Sequence, residues 1–292
     1  MNKLKIATLS VIALSSSVMA EPLQIAGGKE GGAYARYAAN LVAALRDYKE
    51  FKGENAPQTV TTAGSGENLD LLNAGKVIAA PVQADAFMYY MKKHPEAGSN
   101  LEILGTLPTQ ECLFVITRKD GDVTSKADLE KKSTRIAIGN PDSGQNISWQ
   151  YISQLHPKYA QSTPFEKDGL RTLNKVETGG DYGLDAFFYT FAKNVNNDYV
   201  ATVNVEGKNL QFINFNDGDL NEKLPNGKQV YEFQDANVYY KGWTRSVEVP
   251  CTSTLMVLGS NVSDKVADRL AGIMAKSVNR IVGQSDSSNS VK

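Results

Sequence analysis

The stretch TTAGSGENLDLLNAGKVIAAPVQADAF at residues 61–87 contains a strand, a glycine-rich turn, a helix and a second strand. Its β-branched beginning predicts the first strand, which stops at Gly64-Ser65-Gly66. Glu67 to Asn73 has a helical pattern, and Gly75 is its stop signal. An apolar strand from Val77 to Val82 leads into another helix. Such alternation predicts an α/β fold with a largely parallel sheet, which binds ligands at the carboxyl ends of its strands.

Composition and charge limit the classes of function that the chain can have. The 292 residues are 41% hydrophobic and 22% charged, which is typical of a globular chain large enough for two medium domains. A net charge of −1, from 31 basic and 32 acidic residues, excludes a strongly basic surface for nucleic acid. Two cysteines and two histidines are too few for a zinc-ribbon framework or a histidine-rich metal site. We therefore expect no metal and no cofactor.

The N-terminal segment has the layout of a secretory signal peptide. Lys3 and Lys5 are followed by an apolar run from Ile6 to Leu14 and by Val18-Met19-Ala20. The run is shorter than the ~20 residues of a membrane span. This pattern predicts cleavage after Ala20, leaving a periplasmic mature protein. A retained interfacial helix is the alternative interpretation.

Further along the chain, strands and helices continue to alternate. Leu101 to Leu104 and Cys112 to Thr117 are predicted strands, and Asp264 to Ile281 is a predicted amphipathic helix. Residues 194–241 are rich in Asn, Asp, Gly and aromatic residues, which predicts hairpins and surface loops without a clear helix. Ser285 to Lys292 is a polar tail.

Three glycine-rich turns each precede a predicted helix: Gly31-Gly32, Gly64-Ser65-Gly66 and Ser143-Gly144. A helix N-terminus presents free backbone N–H groups and favours an anion. Several such turns in one cleft could bind a carboxylate or phosphate, although each could also be an ordinary capped turn. None matches a dinucleotide or triphosphate fingerprint.

Four segments carry a resemblance to a known family: GGKEGGAYARYAANL at 27–41, the stretch at 61–87, IAIGNPDSGQ at 136–145 and LDAFFYTFA at 184–192. In these segments the chain resembles the periplasmic solute-binding proteins of TRAP transporters, specifically the TAXI group. The second segment is the most specific of the four. The chain departs from the family at Ile78, where the family usually has aspartate, and in the loop-rich stretch before residue 241.

The resemblance implies a two-lobed, type II-like periplasmic binding protein with its ligand cleft between lobes joined by crossover strands. Lobe one is expected at 21–108 and 258–292, and lobe two at 109–257. The chain would cross between them near Thr109 to Cys112 and near Pro250 to Thr254.

The turns and the resemblance together predict a set of ligand-binding residues. Tyr34 could instead pack against its turn, the two serines could be simple N-caps, and Asp185 could either face an ammonium group or cap a turn. Arg118, Arg135 and Arg171 are weaker candidates for a carboxylate clamp. The predicted ligand-binding set is Gly31, Gly32, Tyr34, Thr62, Ser65, Gln83, Ser143, Gly144 and Asp185.

The expected function is capture of a small carboxylate-bearing solute, such as glutamate or a dicarboxylate, and its delivery by a monomer to a TRAP-type permease. A binding protein that docks on a membrane sensor would have the same residues. An exported hydrolase is disfavoured because the chain lacks a G-x-S-x-G elbow, and because His94 and His156 lie at predicted helix ends. We therefore expect no enzymatic activity.

Cys112 and Cys251 lie on the two expected crossover strands. If those strands are antiparallel neighbours, the cysteines fall at one level, and an oxidising compartment would join them. Two buried free thiols are the alternative.

Overall fold

The computed structural model describes residues 23–53, 56–193, 197–240 and 243–283. In these ranges the chain forms a mixed sheet of ten strands, together with seven α-helices. The strands are β1 (Gln24–Ala26), β2 (Gln58–Val60), β3 (Ala79–Gln83), β4 (Leu101–Arg118), β5 (Arg135–Ala137), β6 (Thr163–Phe165), β7 (Ala186–Ala192), β8 (Leu210–Ile213), β9 (Tyr231–Tyr240) and β10 (Trp243–Gly259). The helices are α1 (Ala33–Leu45), α2 (Ser65–Asn73), α3 (Ala84–Lys93), α4 (Gly144–Leu155), α5 (Leu170–Thr178), α6 (Asp198–Val203) and α7 (Asp264–Val282).

Two long antiparallel strands, β4 and β10, join the halves of the sheet. The strand order is β2-β1-β3-β10-β4-β7-β5-β6, with β8 paired to β4 and β9 paired to β10. In the first half, β1 pairs in parallel with β2 and β3. In the second half, β5 pairs in parallel with β6 and β7. This arrangement confirms the predicted α/β fold of a two-lobed periplasmic binding protein. The prediction of a largely parallel sheet was wrong, because β4 and β10 pair antiparallel with each other and with β3, β7, β8 and β9.

The pairing of β4 with β10 is interrupted where the halves meet. Ser253 pairs with Gln110, but the next pair is Leu255 with Thr106. Thr254 on one strand and residues 107–109 on the other are therefore left out of the ladder. Pro108 lies in the interrupted segment, and a proline has no N–H to donate. Such bulges bend and twist a sheet locally. We call this interrupted segment, with its flanking pairs, the crossing.

A disulfide between Cys112 and Cys251 lies beside the crossing. The two residues are direct partners in the antiparallel register of β4 and β10. The predicted disulfide and the predicted neighbouring crossover strands are thus both confirmed.

The apolar core is continuous with the sheet on both of its faces. In the first half, α1 and α7 bury Leu41, Leu45 and Leu270 against the sheet. In the second half, Phe114 and Phe187 are fully buried members of an apolar cluster. Burial of these side chains holds the helices and strands that flank the turns in place.

Two secondary-structure predictions were wrong. The segment 194–241, predicted without a helix, contains α6, which Asn197 caps by accepting hydrogen bonds from the backbone N–H groups of Tyr199 and Val200. The two strands predicted at Leu101 to Leu104 and Cys112 to Thr117 are parts of one strand, β4. Residues 105–111 between them were not predicted as strand, but β10 pairs with that stretch on either side of the interruption.

Candidate functional site

A cavity of about 630 Å³ lies at the crossing. Its walls come from the turns that precede α1, α2 and α4, from the ends of β3 and β7, and from residues 108–111 of β4. The turns follow β1, β2 and β5, so the cavity lies at the carboxyl ends of parallel strands in both halves of the sheet. Parallel α/β sheets bind ligands at this edge, because the N-termini of the following helices gather there.

The turn before α1 shows why two glycines are adjacent. Gly31 has φ +77°, a conformation that favours glycine. Gly32 is the N-cap of α1, and an added Cβ there would lie 2.9 Å from the carbonyl oxygen of Lys29. Gly32 lines the cavity, whereas Gly31 does not and only shapes the turn.

The turn before α2 is held from beneath by polar side chains. The Thr62 hydroxyl donates to the Gly27 carbonyl oxygen at 3.1 Å, and the Asn68 side-chain amide donates to the same oxygen at 2.7 Å. Thr62 does not line the cavity. Ser65 lines it, and its Oγ accepts the backbone N–H of Gln83 at 3.1 Å. The turn is therefore fixed to the end of β3 before any ligand arrives.

The turn before α4 reaches the cavity from the second half of the sheet. Ser143 is the N-cap of α4 and accepts a hydrogen bond from the backbone N–H of Asn146. Gly144 lies against Gln83, because an added Cβ at Gly144 would be 1.6 Å from the Gln83 Oε1. The Gly66 N–H also donates to the Asp142 carbonyl oxygen at 3.3 Å. The α2 and α4 turns therefore meet across the crossing.

Tyr34 places a buried hydroxyl at the cavity. The residue is 9% exposed, and its hydroxyl has no hydrogen-bond partner among the residues that the structure describes. Burial, together with the nearby negative charge of Glu111, raises the pKa of Tyr34 well above its usual value. A buried hydroxyl without a partner is costly, and this one has a free hydrogen-bonding position on the cavity wall.

Glu111 is the carboxyl group that faces Tyr34. It lies on β4 beside Cys112, in register with Thr252 of β10. Burial, reinforced by the charge of Asp85, raises the pKa of Glu111 to about 7, while the Tyr34 hydroxyl acts in the opposite direction. The sequence analysis missed this residue. The sequence did contain one signal for it, because Glu111 is a charged residue in the segment where the chain was expected to cross between the lobes.

Behind the cavity, Asp85 is a fully buried carboxyl group that does not line it. Its Oδ2 accepts the hydroxyls of Ser148 at 2.5 Å and Tyr231 at 2.8 Å. Burial raises the pKa of Asp85, and the two hydroxyl donors oppose this effect. We call these three residues the Asp85 network. It ties α3 to α4 and to β9.

Asp185, which was predicted to bind the ligand, lies away from the cavity. It accepts hydrogen bonds from the backbone and guanidinium of Arg135, with an ion-pair distance of 3.2 Å, and it does not line the cavity. Because Asp185 precedes β7, it lies at the amino end of that strand, away from the carboxyl ends where the turns meet. Neither Arg118 nor Arg171 lines the cavity. Of the other eight residues of the expected set, six line the cavity, and Gly31 and Thr62 shape its turns.

Five further cavity residues lie outside the predicted ligand-binding set: Lys29, Asp168, Tyr189, Phe191 and Lys193. Lys29 and Asp168 form an ion pair at 3.7 Å, and Lys193 donates to Gln234 at 2.6 Å. Lys29, Tyr189 and Phe191 lie inside the segments 27–41 and 184–192 that carry the family resemblance, but no local pattern distinguished them from their neighbours.

Comparison with solved structures finds similar folds at low sequence identity. XAC2383 from Xanthomonas citri, bound to ATP, has a TM-score of 0.54 and 10% identity over 90% of this chain and 86% of that chain. The Candida albicans CA3427 gene product, described as having the generic periplasmic binding protein fold, has a TM-score of 0.46 and 15% identity over 89% and 70% of the two chains. No curated protein sequence matches this one.

Within the described ranges, no helix has the length and apolar character needed to cross a membrane. The sequence profile of the NMT1-like family matches residues 25–278, which covers most of the chain and all of the cavity. The chain therefore belongs to the NMT1-like family.

Proposed function

We propose that this protein is an exported solute-binding protein that captures a small carboxylate-bearing solute in the cavity at the crossing. The observation that carries the proposal is the meeting of three helix N-termini at one cavity beside the unpartnered Tyr34 hydroxyl. Backbone N–H groups and a hydroxyl are donors that suit a carboxylate. Gly32, Tyr34, Ser65, Gln83, Ser143 and Gly144 form the proposed contact set.

A thermal-shift screen of small carboxylic acids and amino acids against the purified mature protein tests this proposal. A ligand at 100 times its Kd raises the apparent free energy of unfolding by about 2.7 kcal/mol. A hit should be weakened by Ser143→Ala and left unchanged by Ser125→Ala. Ser125 is a matched control because it also caps a helix but lies outside the cavity. The absence of any stabilising acid would refute the proposal.

We further propose that lobe one (21–108 and 258–292) and lobe two (109–257) rotate about the crossing and close on the solute. Contact between the α2 and α4 turns, which lie on opposite sides of the crossing, supports such closure. Hinge closure around a ligand is the usual motion of this architecture. Small-angle scattering should give a smaller radius of gyration with saturating solute. Identical curves would count against closure.

Delivery of the solute to a TRAP-type permease is the downstream step that we propose, on the basis of the sequence resemblance. The Cys112–Cys251 disulfide supports an exported protein, because such bonds persist in oxidising compartments. The proposed signal peptide lies outside the described residues. Mass spectrometry of a periplasmic extract should find Glu21 as the N-terminus. Uptake of the solute by cells should require both the protein and the permease, and loss of a sensor response alone would instead favour the receptor alternative.

A further inference from the structure

The cavity contains one acidic side chain for which the protein provides no counter-ion. Glu111 lines the cavity, and no cation pairs with it among the residues that the structure describes. Asp168, the other acid of the lining, pairs with Lys29 at 3.7 Å and accepts hydrogen bonds from the Tyr199 hydroxyl and the Gly169 N–H. The two cavity acids therefore differ, since Asp168 has its partners and Glu111 does not.

Glu111 is only partly exposed to solvent, and an unpaired carboxylate that is largely removed from water is costly. Glutamine has nearly the same shape and would avoid that cost, so the packing of this strand does not require an acid. The titratable groups that face Glu111 are the hydroxyls of Tyr34 and Tyr189 and, more distantly, Asp85, which is also acidic. None of them provides positive charge.

We propose that Glu111 is the counter-ion for a cationic group of the bound solute. The ligand is then a zwitterion, whose carboxylate meets the helix N-termini while its ammonium meets Glu111. This inference rests on the proposed function only for the binding of the solute's carboxylate group. Tyr34, Tyr189 and Phe191 also line the cavity, and aromatic faces complement an ammonium group. A dicarboxylate without a cationic group would place negative charge against Glu111, so the proposal selects the amino acid over the dicarboxylate.

Matched probes separate this proposal from the proposed function. The purified mature protein is titrated by calorimetry with amino acids, with their deaminated counterparts such as glutarate for glutamate, and with amines that lack a carboxylate. We expect an amino acid to bind at least tenfold more tightly than its deaminated counterpart. Glu111→Gln should remove that preference, and Glu102→Gln should keep it, because Glu102 is an exposed residue of the same strand.

The outcomes are distinct. Tight binding of deaminated acids, unaffected by Glu111→Gln, would overturn the role of Glu111 and leave the proposed function standing. Binding of amines alone would overturn the proposed function and keep Glu111 as the counter-ion. Absence of binding in every class would overturn both.

A pH profile provides a readout that a structural role would not change. A cation favours the ionised form of Glu111, so binding should release a proton when the free carboxyl group is protonated. In the wild type, proton release should be close to one at pH 6 and close to zero at pH 8, when measured in buffers of different ionisation enthalpy. Affinity should fall as the pH drops below 7. Glu111→Gln should show neither effect, and a wild-type profile without proton release would overturn the proposal.

Discussion

Two carboxyl groups lie close to the crossing, Asp85 fully buried and Glu111 partly buried, and their surroundings differ. Asp85 is surrounded by donors, since Ser148 and Tyr231 both donate hydrogen bonds to it. On the cavity wall, and among the residues that the structure describes, the Tyr34 hydroxyl has no hydrogen-bond partner and Glu111 has no ion-pair partner. The Asp85 network is complete without a ligand, and complete polar networks stabilise one structure. The incomplete pair leaves hydrogen-bonding and charge capacity for a ligand. The two carboxyl groups therefore differ in what they leave available to a ligand in the cavity.

The largest expected effect comes from breaking the Asp85 network. Asp85→Ala leaves two buried hydroxyls without their acceptor, so we expect the free energy of unfolding to fall by about 3–5 kcal/mol. Urea denaturation measures this change. Asp122→Ala removes an exposed aspartate and should change stability by less than about 0.5 kcal/mol. A loss below about 1 kcal/mol for Asp85→Ala would mean that the network is not structural.

Glu111→Gln should raise the free energy of unfolding, in contrast to Asp85→Ala, and the size of this increase should depend on pH. The folded pKa of about 7 is above the ordinary 4.5, so the folded state holds this proton more tightly than the unfolded state does. The carboxyl group therefore destabilises the wild type progressively as pH rises from 4.5 to 7. The variant should be more stable by about 2–3 kcal/mol at pH 8 and by much less at pH 5. Denaturation at both pH values tests this, and an equal difference at the two would contradict the assignment.

Of the three variants, Tyr34→Phe should change the free energy of unfolding least. It therefore distinguishes an effect on ligand affinity from an effect on stability. Its hydroxyl accepts or donates no hydrogen bond within the described ranges, so removal should leave the free energy of unfolding within about 0.5 kcal/mol of the wild type. Loss of the hydrogen bond to a bound carboxylate should weaken affinity by about 1 kcal/mol, which is roughly fivefold. Tyr182→Phe is the matched control, because Tyr182 is 97% exposed and lies outside the cavity. Unchanged affinity for Tyr34→Phe would exclude the hydroxyl from the ligand contacts.

Local patterns in the sequence were enough to predict the alternation of strands and helices, the glycine turns and the disulfide. The strands, helices and turns depend on interactions between residues close in the sequence. The disulfide depended on one assumption, that the two crossover strands pair, and the structure contains that pairing. Asp185 shows the limit of such reasoning. An acid after Gly183 suggested a ligand contact, but the end of the strand on which a residue lies decides whether it can reach the cavity, and Asp185 lies at the amino end of β7.

By itself, the sequence determined the α/β class and the positions of the three turns, because periodicity and glycine act within a few residues. Only the tertiary structure decided that those turns meet, and that Glu111 lies among them without a counter-ion from the described part of the chain. The interruption between β4 and β10 brings residues 108–111 to the cavity. Whether a carboxyl group is paired depends on neighbours from distant parts of the chain. For that reason the local sequence does not show that Asp168 is paired and Glu111 is not. It also does not separate residues proposed to bind the ligand from residues with a structural role.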